Sequence, residues 1–186
     1  MTKVFIGGSR HVNRLNSTIR SRLNNIISNG YKVLVGDANG ADKAVQKFLS
    51  DMHYKEVVVY CSGGVCRNNI GKWEVVNVTV PSNMRGIKFY MVKDAEMADT
   101  TDYGLMLWDG KSAGTLNNVL SLLARNKKVL LYYLPEKQFY TMSKLVDLEQ
   151  VLDKCNSDDL SRIDKKINLS RFKEALTSPE QLSLHL

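Results

Sequence analysis

The sequence predicts an α/β protein with a Rossmann-like, open and mainly parallel sheet, helices on both faces and a short helical C-terminal extension. Short apolar runs, typical of buried parallel strands, alternate with segments whose apolar residues recur at helical spacing. Glycine-rich turns follow several of these runs. The chain has 186 residues, of which 44% are hydrophobic, so it can bury the core of one domain.

The first half of the chain predicts a βαβαβ unit. Residues 3–6, 31–35 and 56–60 are short apolar runs that predict strands. The first connecting helix has its apolar residues on one face, and these are Leu15, Ile19, Leu23, Ile26 and Ile27. The second has a similar stripe, formed by Ala41, Ala44, Val45, Phe48, Leu49 and Met52. Helical crossovers between short buried strands require parallel pairing, and they are right-handed in nearly all proteins.

The second half continues the alternation after a loop at residues 61–72, which contains three glycines and no periodicity. Residues 73–80, 103–107 and 129–134 predict further strands, the last of which completes the predicted sheet. Helical spacing is carried first by Ile87, Met91, Ala95 and Ala98 and then by Leu116, Val119, Leu120 and Leu123.

The predicted domain organisation is a Rossmann-like nucleotide-binding domain over residues 1–134 and a helical extension over residues 135–186 packed on it. From about Glu136 the sequence consists of short amphipathic pieces, which predict two or three helices. Apolar positions such as Leu169, Phe172 and Leu176 need a surface to cover. We therefore expect this segment to pack on the sheet or on a partner, and we expect a homo-oligomer.

Composition excludes several classes of protein. No stretch approaches the roughly 20 apolar residues of a membrane helix, and no signal peptide is visible, so we expect a cytoplasmic protein without a membrane partner. Three cysteines cannot all pair, and Cys61 and Cys66 lack the second pair of ligands that a zinc site needs, so we expect reduced thiols and no metal or cofactor.

Positive charge is concentrated in the first half of the chain. The net charge is +7, with 14 basic and 5 acidic residues in 1–93 but 12 and 14 in 94–186. This asymmetry suits an anionic ligand or nucleic acid, and equally a solvated surface that serves solubility alone.

Three glycine-rich loops follow predicted strands, where helix N-termini favour anions. The first comprises Gly7, Gly8, Ser9 and Arg10, which offer bare backbone amides, a hydroxyl and a guanidinium. A turn of this composition is also common without any ligand.

The second loop carries carboxylates beside a helix N-terminus and includes Gly36, Asp37, Ala38 and Asp42. Asp37 could accept hydrogen bonds from ribose hydroxyls or hold a neighbouring arginine. Asp42 suits the first turn of the helix, so capping is the alternative to ligand binding. The long loop adds Arg67 and Asn68, which could clamp a base or sugar or only order the loop.

The third loop gives the strongest signal. Its glycines, hydroxyls and lysine are what a phosphate cradle requires, and its candidate ligand-binding residues are Trp108, Asp109, Gly110, Lys111, Ser112, Gly114 and Thr115. The spacing differs from that of a P-loop, so ATP hydrolysis is not implied. The alternative is a capping turn with Thr115 as the cap.

Taken in order, these loops resemble the SLOG superfamily, and specifically its YspA-like branch, over roughly residues 1–134. The resemblance implies a Rossmann-like fold and a nucleotide-type ligand. The superfamily includes LOG enzymes, which release a base from a nucleoside monophosphate, DprA proteins, which bind single-stranded DNA, and ligand-sensing domains.

One position departs from the LOG pattern. The glutamate that assists glycosidic cleavage in a Pro-Gly-Gly-x-Gly-Thr-x-x-Glu loop corresponds to Asn118 here. An amide cannot act as a general base, so only Asp109 or Asp37 would be left for catalysis.

The sequence therefore favours a nucleotide-binding or sensing protein. The alternative is an N-glycosidic hydrolase or transferase, with Asp109 or Asp37 as tentative catalytic residues. Single-stranded nucleic-acid binding ranks below both.

Overall fold

The structure, a computed structural model, describes the backbone of residues 1–177. The part of the predicted extension at 178–186 lies outside the described residues. The strands are β1 (Lys3–Gly8), β2 (Lys32–Gly36), β3 (Val57–Ser62), β4 (Glu74–Val78), β5 (Tyr103–Trp108), β6 (Lys128–Tyr133) and β7 (Gln138–Met142). The helices are α1 (Ser17–Ser28), α2 (Ala41–Asp51), α3 (Gly86–Thr100), α4 (Ala113–Leu123), α5 (Leu145–Leu152), α6 (Ser157–Ile167) and α7 (Leu169–Thr177).

All seven strands form one sheet in the order β4-β3-β2-β1-β5-β6-β7. The first six strands run parallel to one another, and β7 pairs antiparallel with β6. The predicted α/β class with a mainly parallel sheet is confirmed. The strand order reverses direction between β1 and β5, and in open parallel sheets the loops that leave two such strands separate to form a crevice.

The sheet packs helices on both faces, as predicted. On one face α1 and α2 bury Ile19, Leu23, Val45 and Leu49 against the β1 and β2 side chains. On the other face α3 and α4 form a core that also includes apolar residues of α5, α6 and α7. Leu23 has no exposed surface, so its truncation to alanine should cost about 3 kcal/mol through lost burial and the cavity left behind.

Strand β7 was not predicted. The prediction ended the sheet at residue 134 because Pro135 follows, but Lys137 adopts a left-handed conformation (φ 52°) and turns the chain back along β6. An antiparallel edge strand is half-solvated, so residues 138–142 lack the continuous apolar run of the parallel strands. The predicted helices of the extension follow β7, while the division of the chain at residue 134 stays a prediction.

The loop after β3 carries the chain back to the start of β4. Parallel pairing of these neighbouring strands requires such a crossover, which explains the length of the loop. The expectation of reduced thiols is wrong here, because Cys61 at the end of β3 and Cys66 in the loop form a disulfide. Sequence spacing alone could not place these two residues side by side. Within residues 1–177, no helix is long and apolar enough to cross a membrane.

Candidate functional site

A cavity of about 580 Å³ lies at the carboxyl ends of β1 and β5. The three predicted loops all reach it, because strands of one parallel sheet end at the same edge. The predicted ligand-binding residues that line it are Gly7, Gly8, Ser9, Arg10, Ala38, Asp42, Arg67, Lys111, Ser112, Gly114 and Thr115. Six others lie outside the lining, namely Gly36, Asp37, Asn68, Trp108, Asp109 and Gly110.

Asp37 holds Arg67 in place. One carboxylate oxygen accepts from the Arg67 backbone amide at 3.1 Å and from its Nε at 2.9 Å, and the other accepts from a terminal guanidinium nitrogen at 2.6 Å. Burial alone would raise the pKa of Asp37, but the hydrogen bonds and charge of Arg67 outweigh it and bring that pKa below its usual range. Of the two roles predicted for Asp37, the structure shows the arginine contact.

The guanidinium of Arg67 also stacks on Tyr90 of α3, with its central carbon 4.4 Å from the ring centroid. Arg10 approaches the same ring at 5.3 Å. Both arginines line the cavity, so two cations from separate loops converge on one aromatic side chain. Asn68 supports this arrangement from behind by donating to the Asp37 backbone carbonyl at 2.7 Å.

Asp42 lies in the first turn of α2 and is buried, and it also lines the cavity. Its carboxylate accepts from the Ala38 backbone amide at 3.1 Å. Burial raises the pKa of Asp42 to about 6, against the lowering effect of the Lys93 charge. Asp42 therefore keeps its proton to a higher pH than an exposed aspartate does. A side chain at Gly36 would collide with the carboxylate of Asp42 and the amine of Lys93, which explains the glycine there.

Lys93 is almost fully buried on α3 and donates to Asp94 at 2.6 Å. Burial would lower the pKa of Lys93, but the carboxylates of Asp94 and Asp42 more than compensate and raise it. The ammonium group therefore stays charged beside the cavity. Lys93 and Asp94 both belong to the lining, so this wall contains an ion pair whose ammonium group is buried.

Asp109 organises the loop after β5. One oxygen accepts from the Ser9 hydroxyl at 2.6 Å, and the other accepts from the backbone amides of Lys111 and Ser112 at 3.0 and 2.8 Å. These bonds tie the loop after β5 to the loop after β1 across the crevice. Trp108 is fully buried, and its indole donates to the Ser112 carbonyl at 3.0 Å. Asp109 and Trp108 thus shape the site from outside the lining.

The N-cap of α4 is Ser112 and not Thr115. The Ser112 hydroxyl accepts from the Thr115 amide at 3.3 Å and from the Thr115 hydroxyl at 2.9 Å. Among the described residues, no hydrogen bond uses the backbone amides of Ala113 and Gly114. A side chain at Gly114 would meet nothing within 4 Å, so open space lies beside Gly114 in the first turn of α4.

Asn118 lies one turn further along α4 and lines the cavity while 93% buried, since only 7% of its surface is exposed. Its side-chain carbonyl oxygen has no hydrogen-bond partner among the described residues. The oxygen itself is buried, and the neighbouring Asn117 side-chain oxygen, outside the lining, likewise has no partner among the described residues, so neither oxygen identifies a ligand. The sequence indicates Asn118 only as the replacement for a catalytic glutamate.

Sequence reasoning missed the contribution of α3 and α6, whose lining residues include Tyr90, Met91, Lys93, Asp94 and Lys166. For α3, a signal was present. Lys93 shares one helical face with Tyr90 and Met97 at spacings of three and four residues, so it falls on a stripe directed at the sheet. Within residues 1–177, no group of three or more histidine, cysteine or acidic side chains could hold a metal ion.

The fold and the crevice place the chain among Rossmann-like α/β proteins. No protein-family model matches it, and no curated protein matches it. Among solved structures, it is similar to DNA processing protein A from Helicobacter pylori, a structure described for its single-stranded DNA binding mode. The two chains are 14% identical, with a TM-score of 0.54 over 90% of this chain and 80% of the other. This likeness shows the fold that the SLOG resemblance implied.

Proposed function

We propose that this protein, as a member of the YspA-like branch of the SLOG superfamily, binds a nucleotide or nucleotide-derived ligand in the cavity between β1 and β5, as a ligand-binding or sensing protein. The observation that carries the proposal is the convergence, in one cavity, of free backbone amides at the α4 N-terminus with the cationic side chains of Arg10, Arg67 and Lys111. A volume of about 580 Å³ falls in the range of small-molecule sites, which is roughly 300–1,000 Å³.

Charge supports an anionic ligand. Arg10, Arg67 and Lys111 face the cavity from three different loops, and the positive end of the α4 dipole points into it. In the proposed complex a phosphate lies at that helix terminus. The sugar or base extends towards Asp42, whose carboxylate oxygens suit hydroxyl or amine donors.

Thermal-shift measurements on the full chain test the proposal. The panel comprises nucleoside monophosphates and diphosphates, nucleotide sugars, cyclic nucleotides and the matching unphosphorylated nucleosides. A ligand at 100 times its Kd should stabilise the protein by about 2.7 kcal/mol, whereas the nucleosides should do much less. Native mass spectrometry of gently purified protein identifies a retained ligand and measures the proposed homo-oligomeric state. If no nucleotide shifts the melting temperature and none co-purifies, the proposal fails.

Single-stranded DNA binding is the second candidate. It is favoured by the similarity to DNA processing protein A and by the basic first half of the chain. Neutralisation of phosphates by lysine and arginine makes such binding fall steeply with salt. Titration of a fluorescent oligonucleotide at 50 and 200 mM salt should then show a clear loss of affinity, and absent or salt-insensitive binding argues against this candidate.

N-glycosidic cleavage is tested with the same panel by chromatography of released base. Asp37 and Asp109 stay proposals for catalysis, although their carboxylates are engaged by Arg67 and by Ser9 with two backbone amides. Base release that disappears in Asp109→Asn or Asp37→Asn would favour an enzyme over a sensor.

A further inference from the structure

The disulfide between Cys61 and Cys66 lies next to a residue of the cavity. Cys61 is fully buried near the end of β3, whereas Cys66 lies in the following loop and is half-buried. Their α-carbons are 5.2 Å apart, within the usual range of about 4.4–6.8 Å for bridged cysteines. Arg67, the next residue, stacks on Tyr90 and lines the cavity. The bridge therefore fixes the backbone one residue before a cavity-lining cation.

The segment enclosed by the bridge has few other restraints. The Gly63 amide donates to the Val78 carbonyl at 3.3 Å, but no hydrogen bond between described residues involves Gly64, Val65 or Cys66. Gly63 and Gly64 both adopt left-handed conformations, with φ of 74° and 91°. The side chain of Val65 points into solvent, since 78% of this residue is exposed. The covalent bond is thus the main restraint on this short stretch.

The chain from Arg67 onward is anchored independently by hydrogen bonds. The Arg67 amide donates to Asp37 at 3.1 Å, and the Ile70 amide donates to the Gln46 side chain at 3.0 Å. The same Gln46 side chain donates to the Asn68 carbonyl at 3.2 Å. Arg67 is therefore the junction between a stretch held by the disulfide and a stretch held by hydrogen bonds. Loss of the disulfide would reach Arg67 first and leave only its own contacts to restrain it.

The bridge can be opened from solvent at Cys66, because that residue is the partly exposed partner. A thiolate of an external dithiol attacks the Cys66 sulfur, the S–S bond breaks, and Cys61 leaves as a thiolate that takes up a proton. The second thiol of the dithiol then attacks the mixed disulfide and releases Cys66 as a thiol. Two electrons have passed to the protein, and the dithiol has become a disulfide.

We propose that the Cys61–Cys66 disulfide is a redox switch, whose oxidised form holds Arg67 in place in the cavity wall and whose reduction by a dithiol loosens Arg67. For the cytoplasmic location that the sequence predicts, disulfides are mostly transient or redox-sensing, which suits this role. A preorganised cation binds an anion more tightly than a mobile one, so the oxidised protein is the form with the higher affinity for an anionic ligand. This inference goes beyond the proposed function, because it concerns the position of Arg67 and not the molecule that fills the cavity.

Amide hydrogen exchange, followed by NMR of the ¹⁵N-labelled full chain, tests the switch without a ligand. Oxidised protein is compared with protein reduced by dithiothreitol under native conditions. Alkylation after unfolding assigns the two forms, because only Cys155 is free in the oxidised form. Reduction should raise the exchange rate of the Arg67 amide about tenfold, since local opening becomes easier. The Ile70 amide, held by Gln46, should change little.

Two variants separate the switch from a general effect of the reductant. Cys66→Ser, at the half-buried position, should show the fast exchange of the Arg67 amide without dithiothreitol and should not respond further to it. Cys155→Ser removes the cysteine outside the bridge, so it should keep the full response of the parent.

Three results would overturn the inference: a bridge that does not form in oxidised glutathione, a bridge that dithiothreitol does not reduce while the protein stays folded, or equal exchange of the Arg67 amide in both forms. Nucleotide binding in the thermal-shift panel together with any of these results would leave the proposed function intact. A redox-dependent Arg67 in a protein that binds no nucleotide would keep the switch and refute the proposed ligand.

Discussion

The two walls of the cavity are built on different principles. On the side of β2 and α3, charged side chains pair with one another: the buried Asp37, outside the lining, holds Arg67, and the buried Lys93 pairs with Asp94. The wall from β5 and α4 uses backbone amides and hydroxyls, which the carboxylate of Asp109 arranges from outside the cavity.

The two sides of the cavity should therefore respond differently to substitution. Buried opposite charges stabilise each other. Removing one leaves the other buried without a partner, which lowers the stability of the fold. Free amides at a helix terminus cost little and remain open to a ligand. We therefore expect substitutions in the first wall to act mainly on stability and substitutions in the second to act mainly on binding.

The largest effect is expected for Arg67→Ala, which leaves the buried Asp37 carboxylate without its cation. Urea unfolding should show a loss of roughly 3 kcal/mol, allowing for the partial exposure of the arginine. Arg85→Ala, which removes an exposed arginine bonded to backbone carbonyls, should cost less than about 1 kcal/mol. A double variant Asp37→Ala/Arg67→Ala whose cost equals the sum of the single variants would contradict the coupling.

The second effect concerns Asp42 and pH. Because its pKa is raised to about 6 in the folded protein, the folded state binds a proton more tightly than the unfolded state, whose pKa is near 3.8. The stabilising contribution is complete below pH 3.8 and is lost as pH rises through 6. Asp42→Asn should then be about 2 kcal/mol more stable than the parent at pH 7.5, and the gap should close by pH 4.

Urea unfolding of both proteins across this pH range measures the gap. Asp51→Asn, on the same helix but in an exposed pair with Lys47, serves as the control and should show little pH dependence. A stability difference between the two proteins that does not change with pH would show that Asp42 is not the group whose pKa burial raises.

A smaller effect is expected in the second wall for Ser112→Ala, which removes the N-cap of α4. Loss of a serine cap typically costs about 1 kcal/mol, and urea unfolding should show it. Ser121→Ala, later on the same helix, should cost less because its hydroxyl bonds only to Arg125 near the surface. Equal costs would argue against the capping role.

The smallest effect on stability is expected for Gly114→Ala, which should change stability and ligand binding in opposite directions. Gly114→Ala fills open space in a helix, so it should raise the free energy of unfolding by about 0.5 kcal/mol. The added methyl group lies beside the free amides of the proposed phosphate site, so binding of inorganic phosphate, followed by NMR of these amides, should weaken. Gly104→Ala, whose new carbon would collide with Leu122, should instead destabilise the fold. A Gly114 variant that binds phosphate as well as the parent would contradict the location of the anion site.

The fold was predictable because apolar spacing is a local property of the chain. Runs such as 3–6 and stripes such as that of α2 correspond to elements of the structure, although Met52 at the end of that stripe is exposed. Strand β7 was not predicted because it is a strand only through its pairing with β6, which is a tertiary contact. The Cys61–Cys66 disulfide was not predicted because it also depends on the folded path of the chain.

The site was predictable where it is built from loops at strand ends, since topology alone brings the loops after β1, β2 and β5 together. It was not predictable where it depends on packing. The prediction took Ile87 and Met91 as the inner face of α3, whereas Lys93 and Met97 are more deeply buried. Whether Asp37 faces a ligand or Arg67 is likewise decided by the path of the β3–β4 loop, which spacing does not specify.

Gly8 has a consequence for how such proteins can diverge. A methyl group there would lie 2.8 Å from both the Ala41 and Leu107 β-carbons, so β1, β5 and α2 meet at a spacing that admits only hydrogen. In a saturation library this codon should be among the least tolerant of the chain, whereas Gly114, where an added carbon meets nothing within 4 Å, should accept new side chains. Evolution can therefore change which molecule is recognised while the packing of β1, β5 and α2 around Gly8 stays the same.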